Sequence, residues 1–310
     1  MTTNFSIDHI DPDQNFPNPD IHHFAESIRL IEECDFRPDY LMTEQASKAE
    51  EEILKKIEEL DIEVLSYDVF DTYLLRNNKP EALRFFELSG NILDKLTSIY
   101  PNDTRISSLT VEDLCEGRVF GMKMSYRTRP LKDGCGEGHL SEVLSAQCAF
   151  LGLNVECRQI MYKEEVLYES KNLFRNILLD RVAEKFREKG GRVVFISDMY
   201  LPADAISEIA YNVAGKKMYD RLYSSADEVV SKRCGKIFKK IERDMGVEGK
   251  RFLHIGDSLR GDVVCPREAG WNSMLFPVSR LEMMERARRL KEFIEEMENR
   301  GMEARGWAKI

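Results

Sequence analysis

Carboxylates, hydroxyls and one ammonium group follow four apolar segments of the chain, each near the carboxyl end of its segment. In chain order they are Asp68, Asp71 and Thr72, then Ser197 and Asp198, then Ser224, Ser225 and Lys232, then Asp257, Ser258 and Asp262. In an open parallel sheet, the carboxyl ends of the strands form the edge where ligands bind. The pattern therefore predicts a site that combines a nucleophilic carboxylate, a hydroxyl, an ammonium group and a second pair of carboxylates.

This ordered set resembles the motifs of the haloacid dehalogenase (HAD) superfamily of aspartate-nucleophile hydrolases, most of which are magnesium-dependent phosphatases. The matching residues are Asp68 with Thr72 for the first motif, Ser197 for the second, Lys232 for the third, and Gly256-Asp257-Ser258 with Asp262 for the fourth. Phe238 also falls where the superfamily usually has an aromatic residue after the motif lysine. The resemblance covers roughly residues 61 to 80 and 190 to 277.

Two longer stretches resemble a narrower, poorly characterised bacterial group of predicted hydrolases. They are DVFDTYLLR, which ends at Arg76, and SDMYLP, which contains Asp198. Some members of that group are joined or adjacent to glycosyltransferases, which implies a sugar phosphate or a nucleotide sugar as substrate. For Arg76 and Asp198, a salt bridge between neighbouring loops and a contact with the substrate are equally compatible with the pattern.

The resemblance implies a role for each acidic motif residue. Asp68 is the expected nucleophile, which attacks phosphorus and gives an aspartyl-phosphate that water then hydrolyses. Mg²⁺ is the expected cofactor, held by Asp68, Asp257 and the main-chain carbonyl of Phe70. Asp262 is a further ligand, direct or through water, a residue that orients the others, or a carboxylate at the amino terminus of the following helix.

The hydroxyls and the lysine are expected to contact the phosphate. Ser197 and Thr72 can reach phosphate oxygens from the ends of strands, although each can equally be an ordinary cap. Lys232 is expected to neutralise the charge that the nucleophile and the phosphate share. Lys236 is the alternative, and the spacing to Phe238 favours Lys232.

One position departs from the phosphatase pattern. Phosphatases of the superfamily usually place a second Asp two residues after the nucleophile, where it protonates the leaving group, and here that residue is Phe70. An aromatic residue there is more similar to the carbon–halogen hydrolases, whose leaving halide needs no proton. Asp71 is the candidate replacement acid, unless the substrate has a good leaving group. The alternative functions are a metal-independent dehalogenase-like hydrolase and a non-catalytic binding module with the same fold.

Local patterns divide the chain into four parts. In chain order they are an N-terminal arm and helix at 1–60, a catalytic core at 61–80 and 190–278, an inserted helical region at 81–189, and a charged helix at 279–310. The core alternates strands and helices with short links, which predicts an α/β fold with a doubly wound parallel sheet. This is the Rossmann-like core that the resemblance implies, and the insertion resembles the superfamily's helical cap domain.

Some local features give sharper expectations. Ser47 and Glu50 match a capping box at the start of the helix before the first core strand. Helical periodicity predicts a helix over residues 161–189. Residues 121–138, rich in Gly, Arg and Lys, are expected to form a loop, and we favour that loop over a metal site built from its Cys135 and the following His139.

Composition limits the partners. The net charge of −10 argues against nucleic acid, whose phosphates it would repel, whereas a local lysine and a metal ion permit a small phosphorylated substrate. The seven cysteines are scattered, as is typical of reduced thiols. Since no apolar run reaches the roughly 18 residues of a membrane-spanning helix and no signal peptide is evident, we expect a cytoplasmic protein that does not bind membranes. A protein partner would contact the N-terminal arm or the C-terminal helix.

Overall fold

The computed structural model describes residues 25–132 and 134–302, together with Ala304 and Trp307. The strands in this part of the chain are β1 (Val64–Asp68), β2 (Leu74–Arg76), β3 (Leu173–Arg175), β4 (Arg192–Ser197), β5 (Arg221–Ser224), β6 (Phe252–Gly256) and β7 (Asn272–Leu275). Five of them form a parallel sheet in the order β5-β4-β1-β6-β7. This order confirms the predicted doubly wound sheet and places β1 at its centre.

Helices make up most of the remaining described chain. They are α1 (Ala25–Glu33), α2 (Arg37–Tyr40), α3 (Ala46–Glu59), α4 (Glu81–Ile99), α5 (Thr104–Ser107), α6 (Val111–Thr128), α7 (Leu140–Leu151), α8 (Cys157–Asn172), α9 (Ile177–Glu188), α10 (Ala203–Ala214), α11 (Ser225–Glu228), α12 (Lys236–Met245), α13 (Cys265–Glu268) and α14 (Arg280–Asn299). A π-helical turn, Leu259–Val264, leads into α13. No described helix is both long enough and apolar enough to cross a membrane.

Both faces of the parallel sheet are buried, because alternate side chains of a strand point to opposite faces. Leu65 and Tyr67 of β1 enter a cluster that they share with α3, α9 and α10. Val64 enters a second cluster with Ile237 and Phe238 of α12. Helices therefore cover both sides of the sheet, which confirms the predicted α/β class.

The chain between β2 and β4 is mostly helical, and α6 packs along α7 within it. Gly121 permits that packing, since a Cβ atom there would lie 2.4 Å from the carbonyl oxygen of Val143. The loop predicted over 121–138 is therefore wrong at residues 121–128, which continue α6. The glycine marks a close contact between helices and not a turn.

A short strand interrupts the helix predicted over residues 161–189. Residues 173–175 pair antiparallel with β2 as strand β3, in a separate two-stranded sheet. Asn176 follows, and its side-chain oxygen accepts a hydrogen bond from the Leu179 N–H at 3.2 Å to begin α9. Its side-chain amide donates to the carbonyl oxygen of Thr72 at 2.9 Å, which fixes the loop after β1.

The capping box predicted at Ser47 and Glu50 is wrong. Helix α3 begins after Gln45, without a side-chain cap. The Glu50 carboxylate instead accepts hydrogen bonds from Arg181 at 2.6 Å and Lys185 at 2.7 Å, both on α9. Glu50 therefore forms ion pairs with another helix instead of capping its own. Helix α9 also lies against α3 and β4.

The two ends of the described chain lie against each other. Helix α14 contacts α1 and α4, and the Ser279 hydroxyl donates a hydrogen bond to the carbonyl oxygen of Cys34. Residues 1–24, which hold most of the predicted N-terminal arm, lie outside the described residues. Helix α14 therefore docks on the protein, and a protein partner at this helix remains an untested alternative.

Candidate active site

Asp68, Asp257 and Asp262 converge at the carboxyl edge of the parallel sheet. Asp68 is the last residue of β1, and Asp257 directly follows the neighbouring strand β6. One oxygen from each of the three carboxylates lies within 4.8 Å of the others. The structure thus brings together the three acidic residues that the sequence predicts around a metal.

Lys232 extends its ammonium group into this cluster. Its Nζ donates to Asp68 at 2.5 Å and to Asp262 at 2.6 Å, and its backbone N–H donates to Asp198 at 2.9 Å. Burial favours the neutral amine, but Asp262, Asp68 and Asp198 outweigh it and raise the pKa of Lys232, so the ammonium stays charged. Lys236, the alternative, is exposed on α12.

Asp262 is surrounded by donors. Its Oδ1 accepts from Lys232 and, at 3.0 Å, from His254 Nε2, while its Oδ2 accepts from the Ser258 N–H at 2.9 Å. Burial acts to raise the pKa of Asp262, but Lys232 and His254 hold it well below its usual range. Because these donors use both oxygens, Asp262 is better placed to orient Lys232 than to bind a cation directly.

The sequence did not predict the buried residues His254 and Ser66, which support Asp262. Burial lowers the pKa of His254, which favours the neutral ring. A carboxylate can only accept, so His254 Nε2 carries the proton and Nδ1 accepts from the Ser66 hydroxyl at 2.8 Å. Phe238 packs edge-on to His254, with 5.8 Å between ring centroids. The sequence signal for these two residues is a single polar side chain within an apolar strand, Ser66 in β1 and His254 in β6. Buried polar groups need hydrogen-bond partners, so the two could have been expected to pair.

Asp257 has a more open carboxylate. Within residues 25–132 and 134–302, no hydrogen bond to its side chain is found. Burial, Asp71 and Asp262 raise its pKa to about 6. For Asp68, burial raises the pKa, Lys232 opposes this, and Asp262 and Asp257 raise it further. The environment thus disfavours several charged carboxylates together unless a further cation is present.

The donor set fits a magnesium ion. The three carboxylates and the single ammonium of Lys232 carry three negative charges and one positive charge, a net charge of −2 when all are ionised. A divalent cation would balance that charge, and Mg²⁺ prefers oxygen ligands. Asp68 and Asp257 are the side chains that would hold it, together with the predicted carbonyl of Phe70.

Asp71 is paired with arginines, which argues against its predicted role as replacement acid. Its carboxylate accepts from Arg286 at 2.7 Å and Arg37 at 3.2 Å, and lies 3.4 Å from Arg76. Burial acts to raise the pKa of Asp71, but Arg76, Arg286 and Arg37 outweigh it and hold the pKa well below its usual range. An ionised carboxylate has no proton to give to a leaving group.

Arg76 packs against the loop that follows Asp68. Its guanidinium lies over the ring of Phe70, 4.6 Å from the centroid, and pairs with Asp71. The salt bridge considered between Arg76 and Asp198 is not found among the described residues. The Asp198 carboxylate instead accepts hydrogen bonds from the backbone N–H groups of Lys232 and Arg233. Arg76 therefore contacts a different acid from the one considered, and its predicted contact with substrate remains a prediction.

Ser197 and Thr72 are both buried beside the acidic cluster. Ser197 ends β4, where the preceding Ile196 pairs with Asp68, so Asp68 lies between Ser197 and Asp257 along the sheet edge. The Thr72 hydroxyl has no hydrogen-bond partner among the described residues. Their predicted contacts with phosphate remain predictions.

Cys135 and His139, the residues of the metal site that the sequence disfavours, each contact other partners. His139 Nδ1 accepts a hydrogen bond from the Ser141 N–H at 3.1 Å, at the start of α7. Cys135 forms a backbone bridge with Lys132. Among the described residues, only the three aspartates form a cluster with the spacing that a metal ion needs.

No protein-family model matches the chain, and no curated protein matches it. Solved structures that resemble it include the 2-haloacid dehalogenase from Pseudomonas syringae pv. Tomato, at 13% identity over 69% of this chain and 86% of that one, with a TM-score of 0.45. Another is a HAD family enzyme from Bacteroides thetaiotaomicron in complex with magnesium and inorganic phosphate, at 15% identity over 69% and 93%, with a TM-score of 0.43. Identities of 13% and 15% with TM-scores below 0.5 do not establish membership of a family.

Proposed function

We propose that the protein is a HAD-like, magnesium-dependent phosphohydrolase, either a phosphatase or a phosphotransferase, that acts on a small phosphorylated metabolite. The observation that carries this proposal is the contact of Lys232 with Asp68 and Asp262 beside the open carboxylate of Asp257. This group combines a nucleophile, a fixed positive charge and an oxygen site for a divalent cation. The order of the four sequence motifs supports the same function.

Asp68 supplies the nucleophile. One of its carboxylate oxygens forms a bond to phosphorus as the bond from phosphorus to the leaving oxygen breaks, which gives an aspartyl-phosphate. Water, or another acceptor in a phosphotransferase, then attacks phosphorus and frees the Asp68 carboxylate. Lys232, oriented by Asp262, stabilises the negative charge of the transferred group. When bound, Mg²⁺ would neutralise phosphate oxygens and favour the ionised form of Asp68.

The leaving group receives little help from the chain near Asp68. Phe70 has no proton to donate, and Asp71 is held ionised by arginines. The enzyme is therefore expected to favour substrates whose leaving oxygen is weakly basic, such as acyl or aryl phosphates.

All seven cysteines are free thiols, which supports our proposal of a reducing, cytoplasmic location.

A dehalogenase-like hydrolase is the second candidate function, and the aromatic side chain of Phe70 favours it. In that reaction Asp68 would attack carbon and release a halide, which needs no proton. Lys232 would then be the main positive charge beside Asp68. The two candidates differ in their need for a metal ion.

A substrate panel tests the two candidates together. Phosphate release from acyl, aryl and sugar phosphates is measured with Mg²⁺ and with a chelator, and halide release from short haloacids is measured in the same conditions. We expect phosphate release that requires Mg²⁺ and is lost in Asp68→Asn. Halide release that survives the chelator would instead support the second candidate, and no release from either class would support a binding module.

A further inference from the structure

A cavity of about 500 Å³ lies beside the proposed catalytic residues. Ser231 and Arg233, one residue to each side of Lys232, form part of its wall, and so does Asp198, which follows Ser197. Further lining residues come from α6 and the segment that follows it. The volume lies within the roughly 300 to 1,000 Å³ of small-molecule sites. The cavity therefore adjoins the chain on both sides of Lys232.

The walls of the cavity are acidic. Glu81, Glu137 and Asp198 supply three carboxylates, whereas Arg233 is the one basic residue among the lining residues described. Three negative charges and one positive charge give a net charge of −2. The charge in the cavity is therefore opposite to that of the Lys232 ammonium, which faces the proposed phosphate position. Carboxylates accept hydrogen bonds and repel other anions.

The cavity wall is held in place by contacts between the helical region and the core. Arg129 donates to the carbonyl oxygens of Glu137, at 3.1 Å, and of Ala226, at 2.8 Å. The ring of Tyr126 lies against Gly138, where a Cβ atom would be 2.5 Å from a ring carbon. The carboxylate of Glu137 therefore belongs to a segment that is fixed to the core.

We propose that this cavity receives the leaving group of the substrate, and that this group is rich in hydroxyl or amino donors and carries no acidic substituent. A sugar 1-phosphate or an amino sugar 1-phosphate has this chemistry, and its anomeric leaving oxygen is less basic than that of a simple alkyl phosphate. Tyr126 and Tyr200 add aromatic surface against which the carbon–hydrogen face of a sugar ring can pack. A nucleotide sugar fits less well, because its second phosphate would enter the acidic part of the cavity. This inference rests on the proposed phosphohydrolase function.

Binding to a variant that cannot turn over tests the inference separately from the activity. Three ligands share a hexose ring and one phosphate position: the hexose phosphate, its amino sugar counterpart and its uronic acid counterpart. Calorimetry with Asp68→Asn and Mg²⁺ should show the amino sugar binding at least as tightly as the hexose, and the uronic acid binding about tenfold or more weakly. Uronic acid binding that equals or exceeds the others would overturn the inference.

A second variant tests whether Glu137 causes this order of ligand affinities. Adding Glu137→Gln to Asp68→Asn should weaken binding of the amino sugar phosphate and strengthen binding of the uronic acid phosphate. Glu208→Gln, an equal change of charge at an exposed residue on α10 outside this cavity, should leave the order and spacing of the three affinities unchanged. Equal effects of the two variants would contradict a role for the cavity wall.

Turnover separates this inference from the proposed function. The wild type is assayed for phosphate release from the same three ligands and from p-nitrophenyl phosphate, whose leaving group has no such donors. If no phosphate is released from any of them while the order of affinities holds, the proposed function fails and the inference about the cavity stands. If phosphate is released but the uronic acid compound is as good a ligand and substrate as the others, the inference fails and the proposed function stands.

Discussion

The guanidinium of Arg37 and the carboxylate of Glu282 form an ion pair of 2.5 Å, with both side chains fully enclosed. The same guanidinium donates to the carbonyl oxygen of Asp71 at 2.6 Å. Arg286, one helical turn after Glu282 on α14, pairs with the Asp71 carboxylate. Segments from both ends of the described chain therefore hold the loop that follows Asp68.

The first prediction concerns this buried ion pair. Glu282→Gln removes the charge that faces Arg37 and leaves a guanidinium enclosed with less compensation. Breaking a buried pair from one side typically costs about 3–5 kcal/mol in free energy of unfolding. Urea unfolding of the variant should show a loss of that order.

The matched control is Glu32→Gln, which breaks the ion pair of Glu32 with Arg280 at the protein surface. Exposed pairs contribute about 0–1 kcal/mol, so this variant should unfold close to the wild type. A Glu282→Gln variant no less stable than the Glu32→Gln control would show that the ends of the chain do not stabilise the Asp68 loop.

The second prediction concerns the leaving group. Without an acid at Phe70 and with Asp71 ionised, the rate should fall steeply as the leaving oxygen becomes more basic. General acid catalysis is typically worth about 100- to 10,000-fold, and the gain is greatest for basic leaving groups. A series of substituted phenyl and alkyl phosphates measures this dependence, and Phe70→Asp should flatten it if the new carboxylate reaches the leaving oxygen.

The Asp71→Asn variant tests whether Asp71 donates a proton or only pairs with the arginines. The arginines lose their charged partner, so we expect lower stability and activity on all substrates, with the steep dependence on leaving-group basicity retained. A shallow dependence in the wild type that becomes steep in Asp71→Asn would show that Asp71 donates a proton after all.

The third prediction concerns metal binding and pH. The pKa of Asp257 is about 6 in the folded chain without metal, above its usual value of 3.8. Its contribution to stability is therefore fully present below about pH 4 and is lost as the pH rises through about 6. Mg²⁺ binds the ionised form, so the rise in melting temperature that Mg²⁺ causes should be larger at about pH 7.5 than at about pH 5.

Asp257→Asn provides the control for this measurement. The amide keeps the shape of the side chain but removes a charged ligand, so the Mg²⁺-dependent rise should largely disappear at both pH values. An undiminished rise in this variant would place the metal elsewhere in the chain.

The fourth prediction compares two helical glycines. Gly121→Ala introduces a Cβ atom 2.4 Å from the backbone oxygen of Val143, so α6 must move away from α7. Overpacking of this kind typically costs about 1–3 kcal/mol. Gly90→Ala, in α4, meets nothing within 4 Å and should stabilise by about 0.5–1 kcal/mol. Urea unfolding of both variants should give shifts of opposite sign.

The parallel sheet and the acidic cluster could be predicted because their signals are local. Apolar strands that alternate with helices determine an α/β order, and the carboxyl ends of neighbouring strands β1 and β6 bring Asp68 and Asp257 to one edge. Lys232 could be placed because the sequence resembles a known motif order.

The points where the structure departs from the sequence-based expectations share a physical cause, which is that distant partners determine what a residue contacts. The Glu50 carboxylate pairs with Arg181 and Lys185 and does not cap the start of α3. Asp71 is paired with arginines, two of which come from segments far away in the sequence. The sequence predicts Gly121 in a loop, whereas in the structure it lies in a helix that packs closely against Val143 of another helix. No pattern within a single segment contains such partners.

Trapping of the phosphorylated intermediate tests the nucleophile most directly. Wild-type protein is mixed with Mg²⁺ and an acyl phosphate, quenched in acid and treated with borohydride, which reduces an aspartyl-phosphate to homoserine. Peptide mapping by mass spectrometry should find homoserine at the position of Asp68 and nowhere else, and no homoserine in Asp68→Asn. Homoserine at Asp257 or Asp262, or trapping that persists in Asp68→Asn, would contradict Asp68 as the residue that attacks phosphorus.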